Sequence, residues 1–154
     1  MILGIIKILA ASLEKQLSRQ RIGAMFSRLP PAAPAAATEE VCVCALQMEL
    51  KTYPSVSAWI RSLDAVLAQA AGQGCSLVCL PEFYAMTPLL CHWAAGLAAK
   101  GLSLLPADSG GAGGDLNAAP LLEIFAFLAP AYEDIICRFA RRYGIYLYGG
   151  TGLV

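Results

Sequence analysis

Between residues 55 and 74 the apolar side chains recur at three- and four-residue steps, with Trp59, Ile60, Leu63, Val66, Leu67 and Ala70 on one stripe. That spacing predicts an amphipathic helix, with Ser55 at the N-cap position and Gly72 or Gly74 at the stop. Short unbroken apolar runs flank it: VCVCALQ at 41–47 and SLVCLP at 76–81. Both read as strands, and the first is apolar at nearly every position, as expected for a strand covered on both faces. Strand, helix, strand is the order of a parallel pair joined by a right-handed crossover.

A second helix is predicted over AYEDIICRFARRYG, from Ala131. Ile135, Ile136, Phe139 and Ala140 share a face, Arg138, Arg141 and Arg142 stand near its end, and Gly144 is its stop. IYLYGGTGLV then reads as a third strand, still apolar at Val154, which leads to the expectation that the domain continues beyond it. Between these segments a helix is expected from about Pro88 to Lys100, and SLLPADSGGAGGDLNAAP is a glycine-rich surface loop. Its glycines neither follow a strand nor match a dinucleotide or P-loop spacing, so no cofactor is expected there.

Ahead of the first strand, Ile2, Ile5, Ile6, Leu9, Leu13 and Leu17 make a helical stripe, with Lys7, Lys15 and Arg19 on other faces. Residues 1–28 thus form a basic amphipathic segment, too short and too charged to span a bilayer. An interfacial helix contacting a membrane surface through residues 1–22, a mitochondrial presequence, or a helix docked on a partner or on the protein body are the alternatives. Docking is favoured. LPPAAPAAATEE, residues 29–40, reads as a semi-extended linker, and the folded domain is expected over 41–154.

Composition narrows the partners. Of the 154 residues, 58% are hydrophobic and 14% charged, and the mean hydropathy is +0.61. The surface is therefore unusually apolar or covered by something. Formal net charge is zero and no basic stripe is interleaved with aromatics, which argues against nucleic acid. Five basic residues against Glu14 leave residues 1–31 at +4 and the remainder at −4. The six cysteines (Cys42, Cys44, Cys75, Cys79, Cys91 and Cys137) fall mostly in predicted strands and helices, a pattern of buried reduced thiols in a cytoplasmic protein. Cys75-x3-Cys79 with His92 lacks the second ligand pair of a finger-like zinc site, so no metal is expected.

One stretch carries chemistry. In SLVCLPEFY, residues 76–84, Pro81 ends the strand and Glu82 follows at once. The carboxylate is thereby delivered to the carboxyl end of a parallel strand, the rim where ligand crevices form in open α/β sheets. A turn or helix cap is the plainer alternative for such an acid.

The strand VCVCALQ, the helix ending in AAGQGCSLVCLPEF and the later ICRFARRYGIYLYGGTG together resemble the opening half of the nitrilase superfamily, the carbon-nitrogen hydrolases. The resemblance covers about residues 41–84 and 131–154 and leaves the leader, the linker and the glycine-rich loop unmatched. It implies an α/β fold of the α-β-β-α sandwich type, present in part, preceded by the N-terminal amphipathic helix. It also implies a Glu-Lys-Cys triad acting on an amide or nitrile, with no cofactor and with pairing of subunits into a homo-oligomer. Only Glu82 matches a triad position, as the general base. Lys51, Lys100 and the cysteines stand in the wrong order and context. The chemistry calls for a partly desolvated glutamate that takes the thiol proton and returns it to the leaving group.

Overall fold

The computed structural model describes residues 8, 11–12, 14–35, 40–49, 51–82, 84–91 and 119–150. The predicted helix over 88–100, most of the glycine-rich loop, much of the leader and residues 151–154 lie outside them. The chain has a mixed α/β fold. Among the described residues the elements are α1 (Arg19–Phe26), β1 (Cys42–Ala45), α2 (Val56–Gly72), β2 (Cys75–Cys79), a 3-10 helix (Tyr84–Leu90), α3 (Ala119–Tyr143) and β3 (Tyr146–Tyr148).

The three strands form one parallel sheet in the order β1, β2, β3, so the first two strands are neighbours as their connection through α2 requires. Helix α2 starts as its sequence dictates: the Ser55 hydroxyl accepts the Ala58 amide at 3.1 Å. Its apolar stripe is buried through Trp59, Ile60, Leu63, Leu67 and Ala70, and Gly74, at φ +80°, turns the chain into β2. Each such large side chain removed from water contributes roughly 1.5–3 kcal/mol.

Register shows how the sheet is covered. Cys44, Val78 and Leu147 form a row across the strands that packs on the core beneath α2 and α3. Val43, Leu77 and Tyr146 form the adjacent row, and Ala45, Cys79 and Tyr148 the next, both on the opposite face. There Val43 is 57% exposed, Tyr146 79% and Tyr148 52%. The expectation that the first strand is covered on both faces is therefore corrected. Both crossover helices pack against one face of the sheet, and among the described residues nothing covers the other.

Two further elements differ from expectation. Helix α3 begins at Ala119, twelve residues before the predicted start, and runs through Pro130. A proline inside a helix removes one hydrogen bond and costs about 3 kcal/mol. Here Ala126, whose carbonyl loses its partner, and Pro130 are both exposed, which leaves this side of the helix open to water, while Leu128, Ile135 and Phe139 are buried on the core side. At the N-terminus the helix is not continuous through residue 22, because the backbone leaves helical geometry at Leu17 and Ser18 before α1. Leu17 and Ile22 are buried, Phe26 meets Phe139 with ring centroids 4.6 Å apart, and Arg19 stands 3.9 Å from Asp134 of α3. The leader is thus docked on the protein body through residues 17–26.

Residues 30–35 have no regular secondary structure and run beside the end of α3. Leu29 is buried, Ala32 and Ala35 pack on the core, and the Ala35 amide donates to the Tyr143 carbonyl at 2.8 Å. No helix among the described residues is long and apolar enough to cross a membrane.

Candidate active site

Strand β2 is the central strand, and its carboxyl end carries Glu82. The Leu80 amide donates to the Tyr148 carbonyl at 2.9 Å, after which Pro81 has no N–H to offer and the ladder ends. The Pro81 carbonyl instead accepts from the Tyr84 amide at 3.3 Å, closing the turn that contains Glu82 and opens the 3-10 helix. Glu82 is exposed in that turn.

Beneath the turn lies an aromatic support. The Trp59 indole N–H donates to the Tyr84 hydroxyl at 3.1 Å, and the Thr87 hydroxyl donates to the Tyr84 carbonyl at 2.7 Å. Trp59 also stacks on Tyr132 of α3, with centroids 6.5 Å apart and planes 16° from parallel. The Tyr132 hydroxyl donates to the Gly149 carbonyl at 2.5 Å, just beyond β3. One cluster therefore holds the ends of both β2 and β3. Burial pushes the Tyr84 and Tyr132 hydroxyls well above their usual ionisation range, so both remain protonated at neutral pH.

Gly150 completes the junction. At φ +78° it runs against the Pro81 backbone, where a Cβ would overlap the Pro81 carbonyl oxygen. Only glycine fits this conformation and this approach. On the other side of β2, an open cleft of about 700 Å³ lies between the ends of β1 and β2, lined by Leu46, Gln47, Met48, Glu49, Leu80 and Pro81 among others. Its lining stops one residue short of Glu82.

The glutamate thus stands at the rim that the strand-proline-acid pattern predicts, with its side chain exposed. The sheet face next to it is exposed through Val43, Tyr146 and Tyr148. Lys51 lies over the Tyr53 ring, 5.6 Å from its centroid, and Lys100 falls outside the described residues. Among the described residues no group of three or more His, Cys, Asp or Glu side chains is placed to hold a metal ion. His92 lies outside them.

A second polar cluster escaped the sequence reading. Asp64 of α2 is buried, accepts from Arg142 Nε at 2.9 Å and accepts from the Tyr143 hydroxyl at 2.6 Å. Arg142 also donates to the Pro30 carbonyl. Burial, and then the hydrogen bond to Asp64, push the Tyr143 hydroxyl up to about 12. The cluster ties α2, α3 and the 29–35 segment together, which is a structural task. Its signal was available, because an acid between Leu63 and Leu67 on the buried stripe needs a partner. No family model matches the chain, and neither a curated protein nor a solved structure is significantly similar to it.

Proposed function

We propose that this chain carries the general base of a carbon-nitrogen hydrolase acting on an amide or nitrile, with Glu82 as that base. The observation that supports the reading is the position of Glu82 at the carboxyl end of the central parallel strand, on a turn clamped by Tyr84 and Gly150. In this mechanism the Glu82 carboxylate accepts the proton of a cysteine thiol as sulfur attacks the substrate carbon. With an amide it then donates that proton to the departing ammonia or amine, and with a nitrile to the nitrogen of a thioimidate, from which ammonia leaves once water has added. Finally it removes a proton from the water that cleaves the thioester. A lysine ammonium would stabilise the tetrahedral oxyanion. Glu82 is the one triad role with a matched residue in this sequence, and the finer sandwich architecture belongs to the same proposal.

The test is ammonia release by the natural gene product, purified from its own source and offered a panel of primary amides and nitriles. Release from at least one, through an intermediate that hydroxylamine traps as a hydroxamate, is expected. No release from any member contradicts the reading.

The exposed sheet face favours a second reading, a non-catalytic module that binds a protein partner through Val43, Tyr146 and Tyr148. Replacing both tyrosines by serine would then abolish partner binding, whereas under the hydrolase reading the same change acts on stability and turnover.

A further inference from the structure

Cys42 and Cys75 face each other in register at the amino end of β1 and β2, with their sulfur atoms 3.1 Å apart. Neighbouring parallel strands lie about 4.8 Å apart, inside the Cα separation of about 4.4–6.8 Å that a disulfide spans. The sulfurs need to close by only about 1 Å to bond. The backbone can accommodate the change, since the register shifts just after this pair: Cys42 is opposite Cys75, but Val43 is opposite Leu77. Ser76, the residue skipped, reaches back with its hydroxyl to the Cys42 carbonyl at 3.4 Å.

Access is asymmetric. Cys42 is exposed and Cys75 is buried, so an oxidant in solution meets Cys42 while Cys75 waits behind it. The remaining thiols are placed otherwise. Cys44 belongs to the helix-facing row, Cys79 to the uncovered face, Cys91 is buried beside Tyr53, and Cys137 lies on α3.

We propose that Cys42 and Cys75 are a redox pair, which a peroxide closes into a cross-strand disulfide and a dithiol reductant reopens. The Cys42 thiolate attacks one peroxide oxygen, the O–O bond breaks, and the departing hydroxide takes up a proton, leaving a sulfenic acid on Cys42. The Cys75 sulfur then attacks the Cys42 sulfur. The S–S bond forms, the S–O bond breaks, and the second hydroxide leaves as water with the Cys75 proton. Two thiols and one peroxide give one disulfide and two waters, the sulfurs losing two electrons that reduce the peroxide oxygens. The hydrogen bond with Cys75 pushes the Cys42 thiol up, so its thiolate is scarce at neutral pH and oxidation quickens with pH. The bond encloses α2 and ties edge strand β1 to the sheet centre, independently of any role of Glu82.

The experiment treats the full chain with hydrogen peroxide, alkylates the residual thiols and maps linked peptides without reduction. A Cys42–Cys75 linkage with a loss of about 2 Da is expected, forming roughly tenfold faster per pH unit between pH 6 and pH 8. It should raise the thermal midpoint and be reversed by dithiothreitol. The linkage should persist in a Cys44→Ser/Cys79→Ser chain and vanish in Cys42→Ser, an exposed position whose replacement leaves the core intact. Full alkylation of all six thiols after peroxide overturns the proposal. So does a sulfinic acid on Cys42 without linkage, or a crosslink that survives Cys42→Ser.

Discussion

Gly150 and Pro81 are in backbone contact: the turn after β3 runs so close to the end of β2 that a Cβ at 150 would also lie 3.2 Å from the Pro81 carbonyl carbon. This contact, with the Leu80 to Tyr148 hydrogen bond beside it, sets where the Glu82 turn begins. Gly150→Ala combines a positive φ with backbone overlap, and is expected to destabilise the protein by about 2 kcal/mol or more. Gly72→Ala is the control. It meets nothing within 4 Å at the end of α2, and is expected to be neutral or stabilising by up to about 0.5 kcal/mol. Urea titration of both variants distinguishes the two effects.

Tyr84→Phe removes the acceptor for the buried Trp59 indole. Leaving that N–H unpaired should cost about 1–3 kcal/mol, and loosen the turn that carries Glu82. Amide exchange checks this locally: Tyr84, whose amide closes the turn, should exchange faster in a chain that remains folded.

Asp64→Ala breaks the buried contact with Arg142 and Tyr143. Arg142 keeps partial access to water and its bond to Pro30, so the loss is expected at the lower end for buried pairs, about 3 kcal/mol. The thermal midpoint measures it. Because the cluster joins α2, α3 and Pro30 and does not touch the Glu82 turn, amide exchange at Tyr84 should be unchanged in whatever fraction remains folded.

Alkaline pH should destabilise the fold. Burial raises the Cys91 thiol from 9.0 to about 11, and the Tyr143 hydroxyl rises from 10.0 to about 12. A group whose pKa is higher in the folded state holds its proton more tightly there, so its contribution is complete below the unfolded value. It is lost as pH rises through the folded one. Stability should therefore be flat up to about pH 9 and fall above it, with the buried Tyr84 and Tyr132 hydroxyls adding to the loss beyond pH 10. Replacing Tyr143 by Phe should flatten the upper part of that fall, which denaturation midpoints across the range would show.

Local signals carried much of this fold. The stripe from Trp59 to Ala70, the Ser55 cap and the Gly144 stop each depend on neighbours in sequence, and each stands where the pattern puts it. The proline before Glu82 likewise ends its strand as its missing N–H requires. What pattern could not supply was the other layer. An all-apolar strand such as VCVCALQ predicts cover on both faces, yet cover is a property of distant segments, and Val43 and Ala45 are exposed. The early start of α3 is tertiary in the same way: Pro130 carries a local helix-breaking cost, and the core burial of Leu128 and Ile135 on either side of it comes from distant segments. The pairing of Asp64 with Arg142 spans 78 residues, and that of Cys42 with Cys75 spans 33. Neither is visible until the helices and strands are packed.

Glu82→Gln in the natural gene product removes the proposed base. Glutamine keeps the shape of the side chain but cannot accept the thiol proton. Turnover of the preferred amide or nitrile should fall by at least about a hundredfold, while the thermal midpoint stays within the small range usual for exposed substitutions. Wild-type turnover in the Glu82→Gln protein would contradict the assignment of Glu82 as the base.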